Sequence, residues 1–186
     1  MWVFARRLPA GYAILAPRAP LAASPGGYSW RELPDGSWGF PSVRDFEPAC
    51  RGLIELVDTW SASTGGNADC FDVIGFSQGA ALGIALALLH PQRVRALGVL
   101  AGFLPDGAEP LLERRPLAGM PVFVAHGTLD ERVPVERARR AVRELEQAGA
   151  VVTYCEAETG HKVSKECLNA LEASFGSIDR SAALPR

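Results

Sequence analysis

Hydrophobic positions along this chain fall into two alternating kinds of run. Short continuous stretches at residues 12–16, 71–74, 94–100, 121–127 and 151–155 suit strands buried on both faces. Between them, residues 46–61 place Leu53, Ile54, Leu56, Val57 and Trp60 at helical spacing, and residues 136–147 and 164–175 continue the same period. Residues 80–89 are apolar all round and too short to span a bilayer, the pattern of a helix packed on a sheet. Residues 2–8 read as the last turns of an amphipathic helix closed by Pro9 and Gly11, and residues 108–120 as irregular or briefly helical. Strands alternating with helices through short connections predict an α/β protein with a mainly parallel sheet and helices on both faces. One domain over residues 1–186 is expected, with a frayed tail from 176 onward.

One stretch breaks the alternation. Residues 18–41 are rich in Gly, Pro and Ser yet carry Tyr28, Trp30, Trp38 and Phe40. Irregular segments of that length are usually functional or folded back on the core, so these aromatics either wall an apolar pocket or cap the sheet edge. The mixed Arg and Glu positions of 136–147, with Glu136, Arg140 and Glu144 at four-residue spacing, read as a solvated helix face.

Composition narrows the function classes. Nineteen Lys and Arg against 21 Asp and Glu give a formal charge of −2, so no basic field would gather nucleic acid or anionic lipid. The arginines at positions 6 and 7 follow the first apolar residues, the reverse of a secretory leader, and no run is long enough for a membrane span. Cys50, Cys70, Cys155 and Cys167 lie inside expected strands and helices without C-x-x-C spacing, which predicts reduced, structural thiols in a cytoplasmic protein and no zinc site.

The chemistry concentrates at Gly75-Phe-Ser-Gln-Gly79, between a buried strand and a buried helix. A Gly-x-Ser-x-Gly in that context is a nucleophile elbow, a strained turn that presents Ser77 at the carboxyl end of a strand. Without partners the same residues would be an ordinary glycine-rich turn. The flanking glycines are expected to leave no room for a Cβ, and the Gln78 amide at the helix start is placed to donate to an oxyanion. Ligands of doubly wound sheets bind where strands end, and two later strand exits carry suitable groups. His90 sits at a helix end before Pro91 and His126 at a strand end, where a turn-stabilising role fits, so His161 in the loop before the last helix is the candidate base. Asp130 is the candidate acid, with Asp106 as its competitor. The order Ser, Asp, His is that of α/β hydrolases.

Gly-Phe-Ser-Gln-Gly-Ala, His-Gly-Thr-Leu-Asp-Glu-Arg-Val-Pro, Gly-His, and the upstream Ala16-Pro-Arg-Ala-Pro20 with Gly26-Gly-Tyr-Ser-Trp30 resemble the phospholipase/carboxylesterase family of α/β hydrolases, which includes acyl-protein thioesterases. The resemblance covers nearly the whole chain. It implies an α/β-hydrolase fold and hydrolysis of short to medium acyl esters through an acyl-serine, without cofactor or metal, with thioesterase or lactone-opening activity as alternatives. It puts nucleophile, acid and base on Ser77, Asp130 and His161 and an oxyanion amide on Gln78. Resemblance and loop position make Tyr28, Trp30 and Phe103 candidates for the substrate wall, with core packing as the other reading of each.

The front of the chain departs from that family. Members begin with strands that include a central one ending in a His-Gly-x-Gly type loop, the source of a second oxyanion donor. Here the match starts inside the helix that normally follows, so the expectation is an N-terminally truncated fold with a gap between residues 12–16 and the elbow strand. A start assigned too late in a longer parent is the leading explanation. A strand borrowed from a partner chain, as in a homodimer, and a non-catalytic remnant that binds an acyl ligand or a partner are the others.

Overall fold

The structure, a computed structural model, describes residues 4, 6, 8, 10–33 and 39–178. Its centre is a four-stranded parallel sheet built from β3 (Phe71–Phe76), β4 (Val94–Leu100), β5 (Pro121–Gly127) and β6 (Val151–Ala157), paired in that order. Each strand is rich in β-branched or aromatic residues; α2 (Gln78–Leu89), α3 (Glu109–Leu112) and α4 (Val135–Gln147) lie in the three crossovers, and α5 (Lys165–Gly176) follows the last strand. Before β3 come a two-residue-per-strand hairpin, β1 (Leu21–Ala22) and β2 (Tyr28–Ser29), with a cis Ser24–Pro25 bond in its connection, and then α1 (Val43–Thr64).

Two cores flank the sheet. On one face α2 is buried from Ala80 through Leu88, with β3 and β4 on one side of it and α1, through Phe46 and Cys50, on the other. That double cover explains why α2 has no polar face. On the other, α5 lays Cys167, Leu171 and Phe175 against Ala96, Leu100, Phe123 and Ala125. Gly149, with φ 95, makes the turn between α4 and β6. The register sets Phe76, Leu100, Ala125 and Cys155 side by side across the sheet, so the four strand exits open at one end of it.

Several expectations change. Residues 12–16 form no strand: apolar composition gives a segment strand propensity, but a strand exists only where an edge pairs with it. Between this segment and the outer edge of β3 lies a cavity of about 490 Å³. The helix expected over 2–8 falls largely outside the described residues, although Phe4 stacks on Phe76 with centroids 6.0 Å apart. Trp38 and the tail beyond 178 also lie outside them. On α4, Arg140 pairs with Glu144 as expected and also reaches Glu109 at 2.8 Å, while Glu136 meets Arg139. Among the described residues no helix is long and apolar enough to cross a membrane.

The cysteine expectation is corrected. Cys155 at the end of β6 and Cys167 in the first turn of α5 are joined in a disulfide, their Cα atoms 5.7 Å apart. Sequence spacing could not show it, because a strand and a helix 12 residues apart meet only once α5 packs back on the sheet. Cys50 and Cys70 are free thiols, and burial pushes the Cys50 thiol up to about 12. A closed loop of this size should contribute about 3 kcal/mol. Urea unfolding of the oxidised protein and of Cys167→Ala is expected to show a loss of that order in the variant, whereas equal midpoints would assign the bridge no stabilising part.

Candidate active site

Ser77 follows β3 and caps α2 with φ 55 and ψ −119, a left-handed conformation that costs a non-glycine residue about 1–3 kcal/mol. The strain is held from three sides. Ser77 N–H donates to Leu100 O at 2.8 Å, and its carbonyl accepts from Ala80 and Ala81 at 3.0 and 3.2 Å. Gly75 is indispensable to the turn, since a Cβ there would lie 2.1 Å from the Gly79 carbonyl oxygen. The expectation for Gly79 is corrected: a Cβ on it would meet nothing nearer than the Trp30 indole nitrogen at 3.8 Å, so its place in the motif is not steric.

Two further strand exits converge on this hydroxyl. The exits of β5 and β6 are stitched together by Thr128 N–H to Ala157 O at 2.9 Å and Leu129 N–H to Thr159 O at 3.0 Å. Their approach is close enough that a Cβ on Gly127 would lie 2.2 Å from Thr159 O. Asp130 stands on one exit and His161 on the other. His161 Nδ1 is 2.7 Å from Asp130 Oδ2, and its Nε2 is 3.0 Å from Ser77 Oγ. A carboxylate only accepts, so Nδ1 carries the proton and Nε2 is left to accept from the serine hydroxyl. Phe76 backs the imidazole with ring centroids 5.0 Å apart.

Asp130 has a side chain with no exposed surface. Burial pushes its carboxyl up, but the Val133 N–H, His161 and the Arg132 N–H outweigh burial and hold it below its ordinary value. Oδ1 takes both backbone amides at 2.9 Å, leaving Oδ2 to His161. His126, buried at the end of β5, fastens the same loop by donating from Nε2 to Val133 O at 2.8 Å. That is the turn-stabilising part expected of it. Asp106 stands apart, exposed, its backbone paired with Pro41 and Val43.

The Gln78 amide opens α2, where helix geometry supplies it no carbonyl one turn back. The motif did not reveal what the Gln78 side chain does. Its Oε1 accepts from Trp30 N–H at 2.9 Å and its Nε2 donates to Ser29 Oγ at 3.0 Å, while Ser29 donates to Arg31 O at 2.6 Å. This latch pins the segment after β2 beside the nucleophile, and Tyr28, Trp30, Phe76, Ser77, Gln78, Gly79 and Arg132 enclose a cavity of about 320 Å³. Tyr28 and Trp30, two of the residues expected at the substrate wall, line this cavity beside Ser77, as does Arg132, which the sequence did not single out. Phe103 does not line the cavity; it is 4% exposed and edge-on to Phe40 at 5.0 Å, in the core.

A four-stranded parallel sheet with an elbow serine at one strand exit is an α/β-hydrolase fold, and comparisons with known proteins narrow it further. Residues 14–176 match the family described as Phospholipase/Carboxylesterase, and the chain belongs to that family. A protein named probable inactive carboxylesterase, from Oryza sativa subsp. japonica, is 33% identical over 140 residues, 72% of this chain and 57% of that protein. Carboxylesterase SOBER1 of Arabidopsis thaliana is 28% identical over 169 residues, 85% of this chain and 72% of the relative. Among solved structures, esterase PE8 superimposes with a TM-score of 0.73 at 26% identity, over 88% of this chain and 77% of the other. The Bacillus cereus carboxylesterase, at 20% identity, shares the fold with a TM-score of 0.81, over 94% and 79%. The chain spans 57% to 63% of the length of the first three curated relatives it matches.

Asp130→Asn keeps the shape of the buried acid and removes its charge. Because the native carboxyl titrates below its ordinary value, its contribution is complete above about pH 4 and is lost as pH falls through the native value. Unfolding free energies of the two proteins, from urea titration, should differ by about 2 kcal/mol near neutrality and converge in acid. A gap that stays constant down to pH 2 would remove the charge from the account.

Proposed function

We propose that this chain is a single-domain serine hydrolase that cleaves short to medium acyl carboxylic esters through an acyl-serine intermediate. The observation that carries the reading is the continuous relay from Ser77 Oγ through His161 to Asp130, with heavy-atom separations of 3.0 and 2.7 Å. His161 Nε2 takes the hydroxyl proton as Ser77 attacks the acyl carbonyl, and Asp130 holds the tautomer and stabilises the imidazolium. The Gln78 N–H donates to the oxygen that becomes negative, with the α2 dipole behind it. His161 then returns the proton to the departing alcohol, and a water deprotonated at the same nitrogen releases the acid.

Family membership supports an ester as substrate, and the names of the Arabidopsis and Bacillus relatives agree with it. Tyr28 and Trp30 give the open depression of about 320 Å³ beside Ser77 an aromatic wall against which an acyl chain can pack. A second reading, binding without turnover, draws on the name of the rice relative at 33% identity. One experiment separates them. A fluorophosphonate is expected to attach to Ser77, located by mass spectrometry, with no adduct in Ser77→Ala and labelling slowed by about ten-thousandfold in His161→Ala. A folded protein that stays unlabelled would overturn the hydrolase reading and leave the second to be tested by ligand binding.

A further inference from the structure

Arg132 is the charged member of the cavity that holds Ser77, and none of the other lining residues is acidic. Several other arginines are engaged, Arg93, Arg95, Arg139 and Arg140 on carboxylates and Arg18 and Arg137 on aromatic rings, and none of those six lines this cavity. The Arg132 guanidinium, among the described residues, makes no hydrogen bond, ion pair or ring contact. Its root is nonetheless fixed, because the Arg132 N–H donates at 2.9 Å to Oδ1 of the carboxylate that orients His161. Arg132 therefore stands on the loop that carries the relay's acid, lines the nucleophile's cavity and is exposed to solvent. Arg18 lies 4.3 Å from the ring centroid of Tyr28, so a second cation stands against one of the residues lining the cavity.

We propose that Arg132 receives an anionic group of the substrate, so that the preferred ester carries a carboxylate a few bonds from the scissile carbonyl. This deepens the serine-hydrolase reading and rests on it. A guanidinium fork takes a carboxylate through two parallel hydrogen bonds. The carboxylate can sit on the acyl side or on the leaving group; either source meets the same fork.

Phenyl butyrate, phenyl hydrogen succinate and 4-carboxyphenyl butyrate separate these sources, with hydrolysis followed by release of the phenol. One or both anionic esters should exceed the neutral one in kcat/KM by at least about tenfold. Arg132→Gln should erase that ratio through KM, Arg132→Lys should keep part of it, and 0.5 M salt should weaken it in the wild type only. An anionic-to-neutral ratio unmoved by Arg132→Gln would overturn the proposal and leave Arg132 a solvated side chain. A parallel measurement needs no turnover: calorimetric binding of the two anionic esters to Ser77→Ala and to Ser77→Ala/Arg132→Gln. Binding weakened at least about fivefold in the double variant supports the anion site even if fluorophosphonate labelling has failed, and equal binding sinks it whatever Ser77 does.

Discussion

The Asp130 carboxylate is the constraint from which the rest of the site follows. Its side chain is wholly buried, so its charge persists only because each oxygen is claimed: Oδ1 by the amides of Arg132 and Val133, Oδ2 by His161. The two amides lie in the same loop as the carboxylate and close it into a tight turn, and His126 locks that turn onto β5 through Val133 O. One buried charge thereby folds its own loop, aims an imidazole at Ser77 and fixes the backbone from which Arg132 extends. Removal of either amide would leave Oδ1 with a single donor in a site that water does not reach.

The strained elbow depends on that order from the other side of the sheet. Ser77 is held left-handed by Leu100 O and by the first turn of α2, a helix buried over nine successive positions from Ala80 to Leu88. Such burial contributes far more than the 1–3 kcal/mol the strain costs, at about 25 cal/mol per Å² of apolar surface. The polar residues of the site are thus held by apolar packing one layer below them. This is the usual division between scaffold and chemistry in a doubly wound sheet.

Much of this was legible in the pattern of residues. The four strands of the sheet and the long helices α1, α2, α4 and α5 fall within a few residues of their expected bounds, because buried parallel strands and packed helices write their periods directly into the chain. The family resemblance also holds. Three features resisted. Residues 12–16 have strand composition but no neighbour to pair with, and pairing is not a property of a segment. The Cys155–Cys167 bridge depends on how α5 returns to the sheet. The Gln78 latch was hidden because the motif assigns that position a backbone duty, and a side-chain bond to Ser29 and Trp30, about fifty positions upstream, leaves no local trace.

The segment bearing His161 shows how the fold removes freedom from the group that must move a proton. Its ends are covalently joined through Cys155 and Cys167, its start is zipped to the Asp130 loop through Ala157 and Thr159, and its end is capped where Ser164 accepts from Cys167 N–H. Ordering a free loop of a dozen residues would cost about 1 kcal/mol or more per residue if deferred until substrate bound. Here that entropy is given up on folding, so the imidazole already stands 3.0 Å from Ser77 Oγ before any ligand arrives. Freedom survives instead at the cavity rim, where Tyr28 is 48% exposed and the Arg132 side chain is unpaired among the described residues. Order is thus concentrated around Ser77, His161 and Asp130, and solvent exposure at the cavity rim.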